Sequence, residues 1–183
     1  MSALKKDVEH TAAAKKRVAG TAALSGKPGT KTRSGTLATP SAARRVDAKM
    51  FTQIVAGEPL AGFSAVKVIR EGYSARVLKS ARHFFGVPDA RIQHIAQVPA
   101  STANRLEKNA AKIDAAATER VYRMGTVTRM AIEVFENAAA AIEWMRQPNR
   151  ALGNAAPLDL MDTEPGAVSV RQVLNAIATG GVA

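Results

Sequence analysis

The chain has 183 residues, a length that suits one domain of ordinary size with a tail. It carries 26 Lys and Arg against 15 Asp and Glu, a formal net charge of +11. Because the chain holds no cysteine, disulfides, thiol nucleophiles and cysteine-based zinc sites are excluded.

The N-terminal segment, residues 1–48, is expected to be a basic, disordered arm. Residues 1–50 hold eleven Lys and Arg against three acids, a net of +8, which leaves +3 for residues 51–183. The arm has too few large apolar residues to offset the entropy of ordering. It is either a solubilising leader or an arm that adds phosphate contacts, with nucleic acid favoured over an anionic membrane surface. The sequence contains no run of about eighteen apolar residues, so no membrane-spanning helix is predicted.

Residues 49–112 are predicted to form short helices that each bury one apolar face. Order is expected to begin near Met50, because Phe51, Ile54 and Val55 have helical spacing. The next expected boundaries are a helix end at Gly72, an N-cap at Ser74 and a helix end at Gly86.

The segment from Asp89 to Asn109 has the order of a helix-turn-helix. Asp89 is predicted to cap a first helix, and Pro99 biases Val98 away from the helical region, which predicts a tight corner. Ser101 is then expected to cap a short second helix that begins with small polar residues, as recognition helices do. The side chains predicted to reach DNA phosphates and base edges are Ser101, Thr102, Arg105 and Lys108.

A long helix and two shorter ones are predicted for residues 113–183. Apolar side chains spaced three and four apart from Ile113 to Phe135 form one continuous stripe for a bundle core. Gly125 inside this helix costs about 1 kcal/mol relative to Ala, which a close helix crossing would explain. The later boundaries are expected to be an N-cap at Asn137, an end at Gln147 and a final helix starting at Asp162 or Thr163.

The most informative stretch begins at the single tryptophan, Trp144. It reads Trp-x3-Pro-Asn-x-Ala-Leu-Gly-x3-Pro-Leu-x-Leu, then Asp-Thr-x-x-Gly, and continues to Gly180-Gly181. This order resembles the C-terminal domain of Xre/ParS-type antitoxins (Xre/MbcA/ParS), whose central region is an Xre-like helix-turn-helix. One departure is Asn154, which stands where a second glycine often follows the first, and another is the Gly-Gly-Val-Ala end.

The resemblance implies an all-α helical bundle with a helix-turn-helix region at 49–112 and a toxin-binding domain at 113–183. It implies an antitoxin that neutralises a RES-domain toxin, an enzyme that consumes NAD or transfers ADP-ribose from it. In that family the antitoxin's C-terminal helix and tail occlude the toxin's cleft, and many members are cytoplasmic bacterial homodimers that repress their own operon. The toxin-binding residues implied at matching positions are Ala178, Thr179, Gly180 and Gly181 in the inserted part, with Arg171 and Asn175 as the polar candidates beside it.

The sequence lacks the parts of an enzyme. It has no Gly-rich phosphate loop, no Gly-x-Ser-x-Gly and no His-Glu-x-x-His. His10, His83 and His94 lack the close spacing of a metal pair, so we predict a non-catalytic chain without metal or cofactor. The alternative function is a stand-alone DNA-binding transcriptional regulator or nucleoid-associated protein, and a third is an imported organellar protein with a cleaved leader.

Overall fold

Eight α-helices and two short 3-10 helices form the described part of the chain. The structure is a computed structural model that describes residues 42–58 and 60–181. The first helices are α1 (Ala42–Ala56), α2 (Phe63–Glu71), α3 (Arg76–Phe85), α4 (Asp89–Ala96) and α5 (Ala100–Lys108). They are followed by α6 (Ala115–Phe135), α7 (Ala138–Arg146), η1 (Arg150–Leu152), η2 (Pro157–Asp162) and α8 (Glu164–Ala178). Within those ranges the only extended pairing is two isolated bridges, so the predicted all-α fold is confirmed.

The first helix begins earlier than apolar spacing indicates. The sequence predicts order from Met50, whereas α1 starts at Ala42, inside the segment assigned to the arm. Ala and Arg at the start of α1 are strong helix formers, and such residues leave no apolar period to detect. The rest of the predicted arm, residues 1–41, lies outside the described residues.

The core is built around α6, the longest helix. This helix contacts α1, α2, α4, α7, α8 and η2, so the helix-turn-helix region and the C-terminal region share one interior. The predicted stripe is confirmed within α6, where Val121, Met124 and Ala131 are fully buried and Phe135 packs on the core from its edge. Its expected first member, Ile113, is buried but precedes the helix, because Asp114 is the N-cap of α6. The buried hydroxyl of Thr128 is satisfied, since it donates to the Met124 carbonyl at 2.7 Å.

Two aromatic clusters fix the helices that flank α6. Phe51 of α1 lies 5.2 Å and 5.4 Å, between ring centroids, from Phe84 and Phe85 of α3, which holds α1 against α3. Phe135 at the end of α6 packs 5.6 Å from Trp144 of α7. Tilted and edge-to-face rings at these spacings add about 0.5–1.5 kcal/mol per pair beyond area burial.

Gly125 lies where α1 crosses α6. A Cβ atom added there would lie 2.5 Å from Cγ2 of Ile54, so the close crossing expected from the sequence is present. One turn further along α6, Arg129 donates to the carbonyls of Val55 at 2.9 Å and Ile54 at 3.2 Å. These bonds satisfy carbonyls near the end of α1 that lack a helical partner.

Some of the predicted N-caps are confirmed and others are wrong. Asn137 and Thr163 are confirmed: their side chains accept from the N–H groups of Ala140 and Gly166 at 3.0 Å and 3.3 Å. The caps expected at Ser74, Asp89 and Ser101 are wrong. The N-cap residues there are Ala75, Pro88 and Pro99, and none of them makes a side-chain cap bond. Proline favours the extended backbone of an N-cap residue, so α4 and α5 each start directly after a proline.

We expect Gly125→Ala to destabilise the protein by about 1–3 kcal/mol, because the added methyl overlaps the stiff, β-branched Ile54 side chain. Helix propensity alone predicts the opposite sign, a gain of about 1 kcal/mol. Urea unfolding of the full chain measures the effect. The matched comparison is Glu133→Gly against Glu133→Ala, at an exposed position of the same helix. The tight crossing would be contradicted if replacing Gly by Ala stabilised the protein as much at position 125 as it does at position 133.

Candidate functional site

Helix α5 carries an exposed polar face. Ser101, Arg105 and Lys108 are exposed and follow the i, i+4, i+7 spacing of one helix face. Thr102, the fourth predicted DNA contact, is half-buried beside that face. The opposite side packs inward through buried Ala103 and partly buried Leu106. The structure therefore brings three of the four predicted side chains together on an open surface.

Asn104 completes this face and is absent from the predicted set. It is exposed and lies three residues after Ser101, a spacing that the sequence already contained. A carboxamide can make two hydrogen bonds to an adenine edge in the major groove. The acid in the same helix, Glu107, accepts from the Lys79 ammonium of α3 at 2.5 Å, so it offsets Arg105 and Lys108 less than the sequence implies.

The corner between α4 and α5 is a left-handed helix end. Gln97 has φ 55°, and the N–H of Val98 donates to the Gln93 carbonyl at 2.9 Å, as in a Schellman motif. The Gln97 side chain accepts from Arg120 of α6 at 2.7 Å. Arg120 also donates to the Asp162 carbonyl at 3.3 Å, so the corner is joined to η2.

A second link joins the helix-turn-helix to the C-terminal region. Arg91 of α4 binds both carboxylate oxygens of Asp159 in η2, at 2.7 Å and 2.9 Å. Arg146 of α7 donates to the Phe85 carbonyl at the end of α3, at 3.0 Å. Because bidentate guanidinium pairs fix orientation as well as distance, α4 is held in one register against η2.

The start of α8 is held by a buried guanidinium. Arg123 of α6 is 9% exposed, and it donates to the Met161 carbonyl at 3.1 Å and to Glu119. Its Nε lies 3.0 Å from a carboxylate oxygen of Glu164, the first residue of α8. The other oxygen of Glu164 pairs with Arg171, so this predicted toxin-binding side chain already has a partner inside the chain.

The end of α8 is exposed and closed by glycine. Gly180 has φ 73°, and the N–H groups of Gly180 and Gly181 donate to the carbonyls of Ile177 and Ala176 at 3.1 Å and 2.7 Å. These bonds make a Schellman cap, the structural role expected of a Gly-Gly pair. Arg171, Asn175 and Ala178 share one face of the helix, and all the predicted residues except half-buried Arg171 are exposed. Val182 and Ala183 lie outside the described residues.

The turn between α7 and η2 accommodates Asn154. Gly153 and Asn154 have φ 66° and 64°, so the asparagine adopts the conformation that a second glycine would take. Asn tolerates this region because its short side chain bonds locally. The N–H of Asn154 donates to the Asn149 carbonyl at 2.9 Å, and the turn delivers Leu158 and Met161 fully buried into the core.

Comparison with known proteins identifies both halves of this arrangement. Residues 64–124 match the model of the antitoxin Xre-like helix-turn-helix domain. Residues 130–180 match the model of the antitoxin Xre/MbcA/ParS C-terminal toxin-binding domain. An Antitoxin Xre of Yersinia enterocolitica is 28% identical over 120 residues, 65% of this chain and 81% of that protein.

Two further relatives carry the same description. An Antitoxin Xre of Photorhabdus laumondii is 26% identical over 114 residues, 62% of this chain and 77% of that protein. An Antitoxin Xre of Pseudomonas putida is 30% identical over 63 residues, 34% of this chain and 40% of that protein.

These matches, with the geometry of α4, α5 and α8, define a class: a helix-turn-helix joined to a toxin-binding domain. The chain carries both domains of the Xre/MbcA/ParS antitoxins, and it is an antitoxin of a toxin–antitoxin system. Its toxin-binding domain implies a toxin partner, and its helix-turn-helix implies DNA binding. None of the described helices is long and apolar enough to cross a membrane.

Gly180→Ala should loosen the last turn of α8, because an alanine in the left-handed region costs about 1–2 kcal/mol. We expect the Cα chemical shifts of residues 176–179 to move toward coil values, with little change in global melting. Gly180→Asn is the matched control, since Asn tolerates this conformation, and it should show a smaller shift. Identical helical shifts in wild type and Gly180→Ala would mean that the cap does not depend on glycine.

Proposed function

We propose that this antitoxin neutralises a RES-type toxin, one that consumes NAD or transfers ADP-ribose, by covering its nucleotide cleft with the end of α8. The observation that carries the proposal is the exposed terminal turn of α8, which presents Asn175, Ala178 and Thr179 beside two glycines. Without side chains, Gly180 and Gly181 let backbone amides approach a cleft closely. Steric exclusion of NAD needs no chemistry from the antitoxin.

The inner face of α8 supports this role. Ala167, Val170 and Leu174 are fully buried, so the helix is anchored before any partner arrives. A tip held by a packed base loses little conformational entropy on binding. We also propose a division of the chain into two functional regions, with toxin binding assigned to residues 113–183 and DNA contact to residues 49–112.

Arg171 can serve the toxin without leaving Glu164. A guanidinium has five donors, and the pairing with Glu164 leaves others for a second carboxylate. The Glu164 contact also limits the rotamers of the Arg171 side chain before binding. An acidic group in the toxin cleft would therefore meet a pre-positioned cation.

DNA binding is proposed to run through α5. Ser101, Asn104, Arg105 and Lys108 form an open polar face at the helix that follows the corner, as in recognition helices. We propose that a homodimer uses two such helices to repress its own operon in the bacterial cytoplasm, where DNA and NAD are both found. The basic segment that precedes α1, residues 1–41, would add sequence-independent phosphate contacts.

Truncation after Ala176 tests the toxin-binding proposal, because it removes the exposed terminal turn and leaves the buried base of α8. Co-expressed with its cognate RES-type toxin, the truncated chain should fail to prevent growth arrest and NAD depletion. Full-length Arg105→Ala is the control and should protect like wild type. Protection by a folded, truncated chain would reject occlusion by the tail. Failure of the wild type to protect would leave the stand-alone regulator as the better reading.

Arg105→Ala tests the DNA proposal. It should weaken operator binding by about tenfold or more, in keeping with about 1–3 kcal/mol for a base contact. If Arg105 meets a phosphate instead, the salt slope falls by about one and all sequences weaken alike. Arg150→Ala, an exposed arginine in η1, is the matched control for lost charge. Equal losses for both variants, measured by fluorescence anisotropy across salt, would exclude α5 as the reading helix.

A further inference from the structure

Helix α2 is the one α-helix of the described chain that has no buried residue. Its outer side carries Phe63 at 80% exposure and Val66 at 39%. Phe63 and Val66 are referred to as the α2 ridge. Phenylalanine is among the residues most often buried in proteins, and a Phe this exposed on a helix is unusual for a monomer surface.

An apolar groove of about 480 Å³ lies beside α1 and α6 and reaches α2 at Val68. Its apolar walls come from α1, α2, α6 and the segments beside them, and they include Met50, Ile54, Leu60, Val68, Tyr73 and Tyr122. The opening is far larger than a single phenyl ring needs. The α2 ridge does not fill it, because Phe63 points to solvent while Val68 lines the groove.

Two polar side chains of the groove already have hydrogen-bond partners within the chain. The Tyr122 hydroxyl donates to the Leu60 carbonyl, and the Arg129 guanidinium donates to the carbonyls that end α1. Burial, reinforced by Tyr122, raises the pKa of the Tyr73 hydroxyl, which keeps that ring neutral. What remains for an incoming group is mostly apolar surface.

We propose that this surface is the interface with a second copy of the chain, in which Phe63 of each copy enters the groove of the other. The proposal deepens the homodimer proposed above and rests on it. Ridge and groove lie on two sides of one helix, so a two-fold axis beside α2 would let the same patch serve as donor and acceptor. Each copy would bury its exposed Phe63 and Val66, and each groove would lose its water.

Charge supports the same occupant. Lys67 and Arg70 follow Phe63 by one and two helical turns and are exposed, while Glu58 lines the rim of the groove and is exposed. Entry of Phe63 into the partner's groove brings the cations of one copy toward Glu58 of the other. Among the described residues, Lys67 forms an ion pair only with Glu71, at 4.0 Å between two solvated groups, and such a contact contributes little to stability.

The position of α2 separates this surface from the toxin. The toxin-binding match covers residues 130–180, whereas α2 lies in the helix-turn-helix match, residues 64–124, and just before it. Helix-turn-helix proteins commonly bind paired half-sites as dimers. A second copy therefore fits this surface better than the toxin does.

Sedimentation velocity of the full chain tests the interface. Phe63→Ser and Val66→Asp should each raise the dimer dissociation constant at least about tenfold. Val168→Asp is the matched control: the same residue type at the same 39% exposure, on α8, should leave association unchanged. A monomeric wild type at tens of micromolar, or a dimer insensitive to both α2 variants, would overturn the proposal. So would a small molecule or toxin contact found in the groove.

Charge exchange gives a second, independent readout. Glu58→Lys alone, and Lys67→Glu with Arg70→Glu, should each weaken the dimer, and the chain carrying all three changes should recover association. Weakening without recovery would place these charges outside the interface and overturn the pairing. Toxin neutralisation by Phe63→Ser should persist, because α8 is untouched. If the wild type did not neutralise the toxin, the proposed function would be wrong, but the dimer measurement would still test the interface.

Discussion

Guanidinium groups that bind backbone carbonyls of other elements hold this fold together. Helices leave their last carbonyls without partners, and short 3-10 helices leave more, so a bundle with many short elements has many acceptors to satisfy. Arginine meets this need because its planar fork reaches a carbonyl and a carboxylate at once. The arginines that bind a backbone carbonyl of another element are Arg91, Arg120, Arg123, Arg129 and Arg146.

The segment η2 receives three of these contacts and joins the two functional regions. Its carbonyls at Met161 and Asp162 accept from α6, and its Asp159 side chain holds α4. The same segment leads directly into α8. The helix that precedes the recognition helix and the helix proposed to meet the toxin are thus fixed to one short stretch of backbone. Such pre-organisation lowers the entropy that either partner must overcome on binding.

The sequence predicted those features whose cause is local. Asn137 caps a helix through its own side chain, Gly125 marks a crossing that excludes a Cβ, and Trp144 precedes a turn whose residue spacing resembles that of the Xre/ParS-type antitoxins. Features set by distant partners were missed. The cap expected at Ser101 is replaced by the preset backbone of Pro99, and the arginine contacts join residues 38 to 75 positions apart.

The arginines of residues 51–183 show the same limit of prediction from sequence. Composition gives residues 51–183 a net charge of +3, a number in which every cation has the same weight. In the folded chain Arg123 is buried and bound, while Arg105 and Lys108 stand exposed on α5. Net charge therefore says little about where an anion would bind. The location follows only once the structural cations are separated from the exposed ones.

The distribution of exposed apolar side chains follows the proposed division of partners. The large apolar residues left exposed in the described chain are Leu60, Phe63, Val66 and Val168. The first three surround α2 and the last lies on α8, the two elements assigned to protein partners. Helix α5 has no exposed large apolar residue and presents amide, hydroxyl and cationic groups instead. Protein–DNA interfaces are more polar and more positive than protein–protein interfaces, so each surface has the chemistry that its assigned partner requires.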